Sequence, residues 1–148
     1  MNYKKFLETI EKCPFCKGEN RIIEENESAY LTYALAPYHP HHLLVIPKKH
    51  TLHFLQLNDI EDSDISDLID YGASLLEGLG YKDYSILIRN GSSASIGKSI
   101  DHLHYHLIPN IHIGSHTHDG GERKILSPEE IGSLMEEITS VQKKLHTV

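Results

Sequence analysis

Between Asp101 and Asn110 the chain reads His102-Leu103-His104-Tyr105-His106-Leu107-Ile108-Pro109. Imidazoles alternate strictly with apolar side chains. That period of two belongs to an extended strand, whose successive side chains point to opposite faces; a helix would scatter the three histidines around its circumference. A strand over 102–108 puts all three rings on one face, with neighbours about 7 Å apart. Leu103, Tyr105 and Leu107 then share the other face. One side is suited to packing and the other to chemistry. Such a strand needs neighbouring strands for its backbone and a second layer to cover its apolar side.

The rest of the chain supplies both. Residues 21–25 and 29–35 read as a strand pair turning at Asn26-Glu27-Ser28. Residues 42–46 form an apolar strand that Pro47 ends, and 85–88 form another. Pro37-Tyr38-His39-Pro40 is a rigid loop. Phe6, Leu7 and Ile10 predict a short helix over 2–11. Ile65, Leu68, Ile69, Leu75, Leu76 and Leu79 predict a long one over 59–79, with acidic residues at its start and Gly78 and Gly80 at its end. Ser127-Pro128-Glu129-Glu130 caps a last helix running to about residue 145. Asn90 to Lys98 is a small-residue loop, and 111–122 is a Gly- and His-rich segment predicted to be mobile. Its His112, His116 and His118 suit adventitious metal binding more than a fixed role. The order of elements predicts one α+β domain over 1–148, built on a mainly antiparallel sheet.

Charge narrows the partners. The 148 residues carry a net charge of −7 with histidine neutral. No basic face is visible, which argues against a nucleic-acid polymer as partner. No apolar run is long enough to span a bilayer, and the N-terminus lacks the apolar stretch of a secretory signal. The only cysteines, Cys13 and Cys16, are too close in sequence to close a long loop. A reducing, cytoplasmic location is the expectation.

Two motifs admit more than one reading. Cys13-Pro14-Phe15-Cys16 is a redox pair or half of a zinc site. Redox pairs usually sit on a strand-to-helix turn, whereas this tight knuckle follows a short helix and precedes antiparallel strands. A tetrahedral zinc needs two further ligands. Gly97-Lys98-Ser99 suggests a phosphate loop, but five residues rather than four separate Gly91 from Gly97, and the segment leads into a strand instead of a helix. Its backbone amides can still cup a phosphate, with Lys98 as a mobile point charge beside it.

The run His102 to Ile108 resembles, at every position, the signature His-φ-His-φ-His-φ-φ (φ apolar) of the histidine-triad, or HIT, family. The segment from His42 through Pro47 to His50 is similar to that family's second landmark. Asn90, Gly97 and Ser99 resemble its approach to the triad. The likeness spans most of 13–110. It implies a HIT-like fold and nucleotidyl transfer through a covalent histidine, with His104 as nucleophile. It places His106 by the phosphate oxygens and leaving group, His42 as the orienting group, and Asn90, Gly97, Lys98 and Ser99 near the phosphates. Zinc-containing members imply one structural zinc held by Cys13, Cys16, His50 and His102, with His53 competing as third ligand. The resemblance also implies a homodimer and a small nucleotide substrate, a dinucleoside polyphosphate or a nucleoside phosphoramidate. Three positions depart from the pattern. Ala34 stands where many members carry a ribose-binding Asp, Lys98 where a Gln is common, and Asn110 where a basic residue follows the triad. Alternatives are a phosphorylase that passes the nucleotidyl group to phosphate, a non-catalytic zinc-stabilised nucleotide-binding module, and a histidine-rich metal carrier.

Overall fold

The computed structural model describes residues 13–18, 20–92, 100–109 and 124–146. The helix expected over 2–11, the candidate phosphate contacts Gly97, Lys98 and Ser99, and the 111–122 segment with its histidines lie outside these residues.

The fold is α+β. Five antiparallel strands, β1 (Glu24–Glu25), β2 (Ala29–Tyr33), β3 (Leu43–Pro47), β4 (Tyr84–Ile88) and β5 (Tyr105–Pro109), pair in the order β1-β2-β3-β5-β4. The first turn forms where expected, because Asn26 Oδ1 accepts from the backbone N–H groups of Ser28 and Ala29 at 3.1 and 3.0 Å. Strand β1 is shorter than predicted. The Ile23 N–H still donates to the Leu31 carbonyl at 2.8 Å, but before it the pairing passes to side chains: Thr32 Oγ1 donates to the Arg21 carbonyl, and the Arg21 N–H donates to the Tyr33 hydroxyl. Pro47 is the last residue of β3, paired with Ala29, a place where its missing N–H costs little.

The expected strand over 102–108 begins only at Tyr105. The reason lies in residues 102–104, whose backbone is engaged elsewhere: the Leu103 N–H donates to the Thr51 carbonyl at 2.7 Å. The alternation survives this shift. Leu103 and Leu107 are fully buried in the main apolar core, with Tyr105 packed against it.

Two helices cover that face of the sheet. In α2 (Asp59–Gly78), Asn58 and Glu61 form a capping box, and Asp59, Glu61 and Asp62 fill the first turn. In α3 (Pro128–His146), the Glu130 N–H donates to Ser127 Oγ at 3.1 Å and the Ser127 N–H donates to Glu130 Oε1 at 2.9 Å. Hydrogen bonds from the Ser127 N–H and hydroxyl hold the Glu130 carboxyl below its ordinary range. Ile65, Leu68, Leu75 and Leu76 of α2 meet Leu134, Met135, Ile138 and Val141 of α3 in the same core as Leu31, Leu43 and Val45 of the sheet. The helices approach closely at Gly78, where a Cβ would overlap Val141 Cγ1. A short 3-10 turn at Phe54–Gln56 had no clear signal in the sequence.

The opposite face is different in kind. Register places Thr32, Leu44, His106 and Leu87 in one row across β2, β3, β5 and β4. This face carries the histidines, and Phe15 packs over its Tyr30, Ala34, Leu44 and Ile46.

Candidate active site

The knuckle is a single helical turn, α1 (Pro14–Lys17). Pro14 starts it, and Gly18 ends it in the left-handed conformation (φ 64°), with its N–H on the Pro14 carbonyl. Positions i and i+3 of such a turn share a side, so both cysteine sulfurs face the same point. Tyr30 reaches up from the sheet and donates its hydroxyl to the Phe15 carbonyl at 2.8 Å, fixing the turn in place.

Cys13, Cys16, His50 and His102 converge there, each offering one ligand atom, and all four atoms lie within 4.8 Å of one another. His102 Nδ1 is 3.4 Å from each sulfur and 3.2 Å from His50 Nδ1; Cys16 Sγ is 3.0 Å from His50 Nδ1. A tetrahedron with zinc–sulfur and zinc–nitrogen bonds of usual length has edges of roughly 3.3–3.8 Å. The donor set of two thiols and two imidazoles therefore fits a closed four-ligand zinc. His102 Nε2 lies 2.7 Å from the Pro47 carbonyl. A carbonyl only accepts, so that nitrogen carries the proton and Nδ1 presents its lone pair to the cluster. Desolvation raises the Cys16 thiol above its ordinary value, and the hydrogen bond and charge of Cys13 raise it further; a cation between the sulfurs would reverse that balance. His53, the competing ligand, is not in the cluster. Asn90 Nδ2 donates to its Nδ1 at 2.8 Å, while Asn90 Oδ1 accepts the Phe54 N–H. Asn90 thus braces the turn that follows His50.

The same reasoning fixes the remaining rings. His104 Nδ1 is 2.7 Å from the His102 carbonyl. The proton is on Nδ1, and the lone pair of the neutral ring is on Nε2. The Tyr38 N–H donates to His42 Nδ1 at 3.2 Å, so neutral His42 is protonated at Nε2. That nitrogen sits 2.9 Å from His106 Nδ1, which must accept. His106 in turn carries its proton on Nε2. The rings of His104 and His106 are 4.8 Å apart, edge to face. A lone-pair nitrogen and a proton-bearing nitrogen therefore stand on adjacent rings, the pairing needed to attack an electrophile and stabilise the charge that develops. His42, His102 and His104 are all buried.

Phe15, between the two cysteines, presents an edge to both His102 and His104, with ring centroids 5.8 and 5.1 Å away. Its place inside the Cys-x-x-Cys motif was a signal for this contact. The Pro47 carbonyl, the His102 carbonyl and the Tyr38 N–H left no trace in the sequence, because every residue has such groups. Ala34, at the expected ribose position, is buried beside Tyr30 and Leu44, in the cluster that Phe15 covers. A cavity of about 570 Å³ lies away from the triad, between Pro37–Pro40 and the start of α3.

Residues 17–113 match the HIT domain family. The chain is 32% identical over 134 residues to adenosine 5′-monophosphoramidase hnt1 of Schizosaccharomyces pombe, covering 86% of this chain and 96% of that one. Its fold is similar to that of a histidine triad nucleotide-binding protein from Sulfolobus tokodaii, with a TM-score of 0.70 and 24% identity, covering 90% and 93% of the two chains. It is also similar to a zinc-bound histidine triad family protein from Mycobacterium smegmatis, with a TM-score of 0.59 and 21% identity over 90% and 97% of the chains. With the triad, its landmark strand and the family match in agreement, the chain belongs to the histidine-triad (HIT) family.

Proposed function

We propose that the protein is a nucleotidyl hydrolase that cleaves at the α-phosphorus of a small nucleotide through a nucleotidyl-His104 intermediate. The observation that carries this reading is the bond from His104 Nδ1 to the His102 carbonyl, which places the lone pair on Nε2. That nitrogen attacks the α-phosphorus and a P–N bond forms. The bond to the leaving group breaks, and its electron pair departs with the leaving group. His106, proton on Nε2, stabilises the phosphate oxygens and hands its proton to the leaving group. Water then attacks the phosphorus and returns a proton to His106 Nε2 as the P–N bond breaks, leaving a nucleoside monophosphate, neutral His104 and His106 as it began. His42 acts through His106, holding its Nδ1. Asn90, Gly97, Lys98 and Ser99 are assigned to the phosphates, with Lys98 favouring leaving groups that carry further phosphates.

The relative named as a monophosphoramidase supports a nucleoside phosphoramidate as the first substrate to try, beside a dinucleoside polyphosphate. Passing the nucleotidyl group to phosphate instead of water would make the protein a phosphorylase by the same first step. Cys13, Cys16, His50 and His102 would hold one structural zinc, joining the knuckle to the catalytic segment. We assign the whole chain to one domain, since α3 packs into the core of the sheet, and place it in the cytoplasm; among the described residues no helix is long and apolar enough to cross a membrane. A homodimer is supported by β4, an edge strand whose Ile86 is 53% exposed.

The test is incubation with adenosine 5′-phosphoramidate and with a diadenosine polyphosphate, each with and without phosphate, followed by product identification. Acid quench during turnover should leave one nucleotidyl group on the peptide containing His104. Turnover with the adduct on another residue, or no turnover of either substrate, would overturn the reading.

A further inference from the structure

The family match ends at residue 113, and α3 lies beyond it. Yet α3 touches the loop that carries His42. Glu137, on the third turn of α3, places Oε2 3.0 Å from His41 Nε2. The other nitrogen of the same ring, Nδ1, lies 2.7 Å from the hydroxyl of Tyr81, just past the C-terminus of α2. A carboxylate only accepts, so His41 Nε2 carries a proton. Neutral His41 then accepts from the Tyr81 hydroxyl, and cationic His41 donates to both partners. The ring is satisfied in either charge state, and it is held from two different elements. Its side chain is only 15% exposed.

The anchorage behind it is firm. Ile138, the neighbour of Glu137, is fully buried, and Tyr81 packs against the main core. The Tyr81 N–H donates to the Leu76 carbonyl. His39 adds a third contact, its ring edge-on to Tyr81 at 5.2 Å.

What this holds is the geometry on which the triad depends. The His41 N–H donates to His39 Nδ1, and the His42 N–H donates to the His39 carbonyl at 2.9 Å. The loop thus closes into a compact turn that aims the Tyr38 N–H at His42 Nδ1. That contact fixes the proton of His42, and His42 fixes the proton of His106. Alongside this loop runs the cavity of about 570 Å³, lined by Pro37, Tyr38 and His39 on one side and by Leu126, Leu134 and Glu137 on the other. A backbone bond from Leu126 N–H to the Leu35 carbonyl ties its far end. The contact from His41 to Glu137 and Tyr81 ties the end next to His42.

We propose that Glu137 and Tyr81 are positioning residues for the triad: by clamping His41 they hold the 37–42 turn, and through Tyr38 and His42 they keep the reactive proton of His106 on Nε2. The C-terminal helix is then part of the catalytic apparatus, although it supplies no group that touches substrate. The proposal rests on the triad chemistry proposed above, but its first readout does not.

That readout is the ¹⁵N spectrum of the histidine side chains, which distinguishes a fixed tautomer from an averaged one. In the wild type, His42 and His106 should both show a fixed Nε2–H tautomer. In a Tyr81→Phe, Glu137→Ala double variant both should move toward averaged values, while His104, held by a different carbonyl, should not. With the phosphoramidate substrate the double variant should lose about tenfold in kcat, with KM within twofold. Glu137→Gln, whose amide oxygen still accepts from His41 Nε2, should keep kcat within about threefold of wild type. Tyr81→Phe alone, which preserves the ring and its packing, should give an intermediate loss. Unchanged tautomers and unchanged kcat in the double variant would overturn the proposal, and so would a loss of thermal stability with neither effect. If the tautomers respond but the wild type turns over neither substrate, the functional reading fails and the clamp stands.

Discussion

His106 and Leu107 are neighbours on β5, yet they belong to two regions built on different rules. Leu107 enters the helix-covered face, in one core of interchangeable chemistry with Leu31, Leu43, Leu75 and Ile138. There the requirement is volume and the absence of polar atoms. His106 enters the other face, where the proposed chemistry depends on which nitrogen bears a hydrogen. That is set by His42 and, behind it, by the Tyr38 N–H. On the first face a change is felt in proportion to the space it leaves. On the second, a change that preserves volume can still abolish the chemistry by moving one proton. The two regions should therefore separate cleanly when stability and turnover are measured side by side.

The largest separation is expected for His104→Gly. Turnover should fall by at least about a thousandfold, since the covalent route is removed, while thermal unfolding stays close to wild type. A substantial loss of stability would mean that the second face is also structural. Next in size is removal of the knuckle ligands. Protein purified without a tag should contain one zinc per chain. A Cys13→Ser, Cys16→Ser variant should lose it and melt about 10 °C or more lower. Because Phe15 also leans on His104, activity measured well below the melting point should fall too. If it does not, the metal serves the fold alone.

Leu107→Ala inverts the pattern. It should cost about 2–5 kcal/mol of stability, as a fully buried leucine in a rigid core does, with kcat at low temperature within twofold of wild type; chemical denaturation and steady-state kinetics on the same preparation decide it. The smallest effect lies furthest from both faces. Ser127→Ala removes the cap of α3 and should cost about 1 kcal/mol. Burial and the charge of His41 hold His39 below its ordinary value. Its proton is then taken up by the unfolded chain first as pH falls below about 6.5, so this residue removes stability on the acid side and none above neutrality.

The packing face was the easier to read from sequence. Ile65, Leu68, Leu75 and Leu76 recur at helical spacing, and Ser127 with Glu130 announces a helix start, so α2 and α3 lie where predicted to within about a residue. Strand ends were less legible. At Arg21 the ladder gives way to Thr32 and Tyr33 side chains, and Leu103 bonds to Thr51 rather than in the sheet, both outcomes of contacts between separate segments. The site divides similarly. Cys13 and Cys16 were visible in the motif, the other two residues at the knuckle were implied by the family resemblance, and His50, not His53, completes the cluster. The tautomers were invisible, because they are set by main-chain groups. The clamp at His41 was missed as well: Tyr81 and Glu137 are 40 and 96 positions away, and nothing in their local pattern marks them.

The protons of His102, His104 and His42 are each set by a peptide group: the Pro47 carbonyl, the His102 carbonyl and the Tyr38 N–H. Codon changes alter side chains and leave carbonyls in place, so a substitution at Pro47, His102 or Tyr38 that leaves the backbone path intact removes none of these three peptide groups, except Pro at position 38, which lacks the N–H. Sequence drift around the site can reshape what is bound while the protonation pattern is inherited with the chain trace, as long as the clamp on His41 holds that trace. Only chemistry that rewrites the main chain itself, such as an amide-to-ester replacement, would reach it directly.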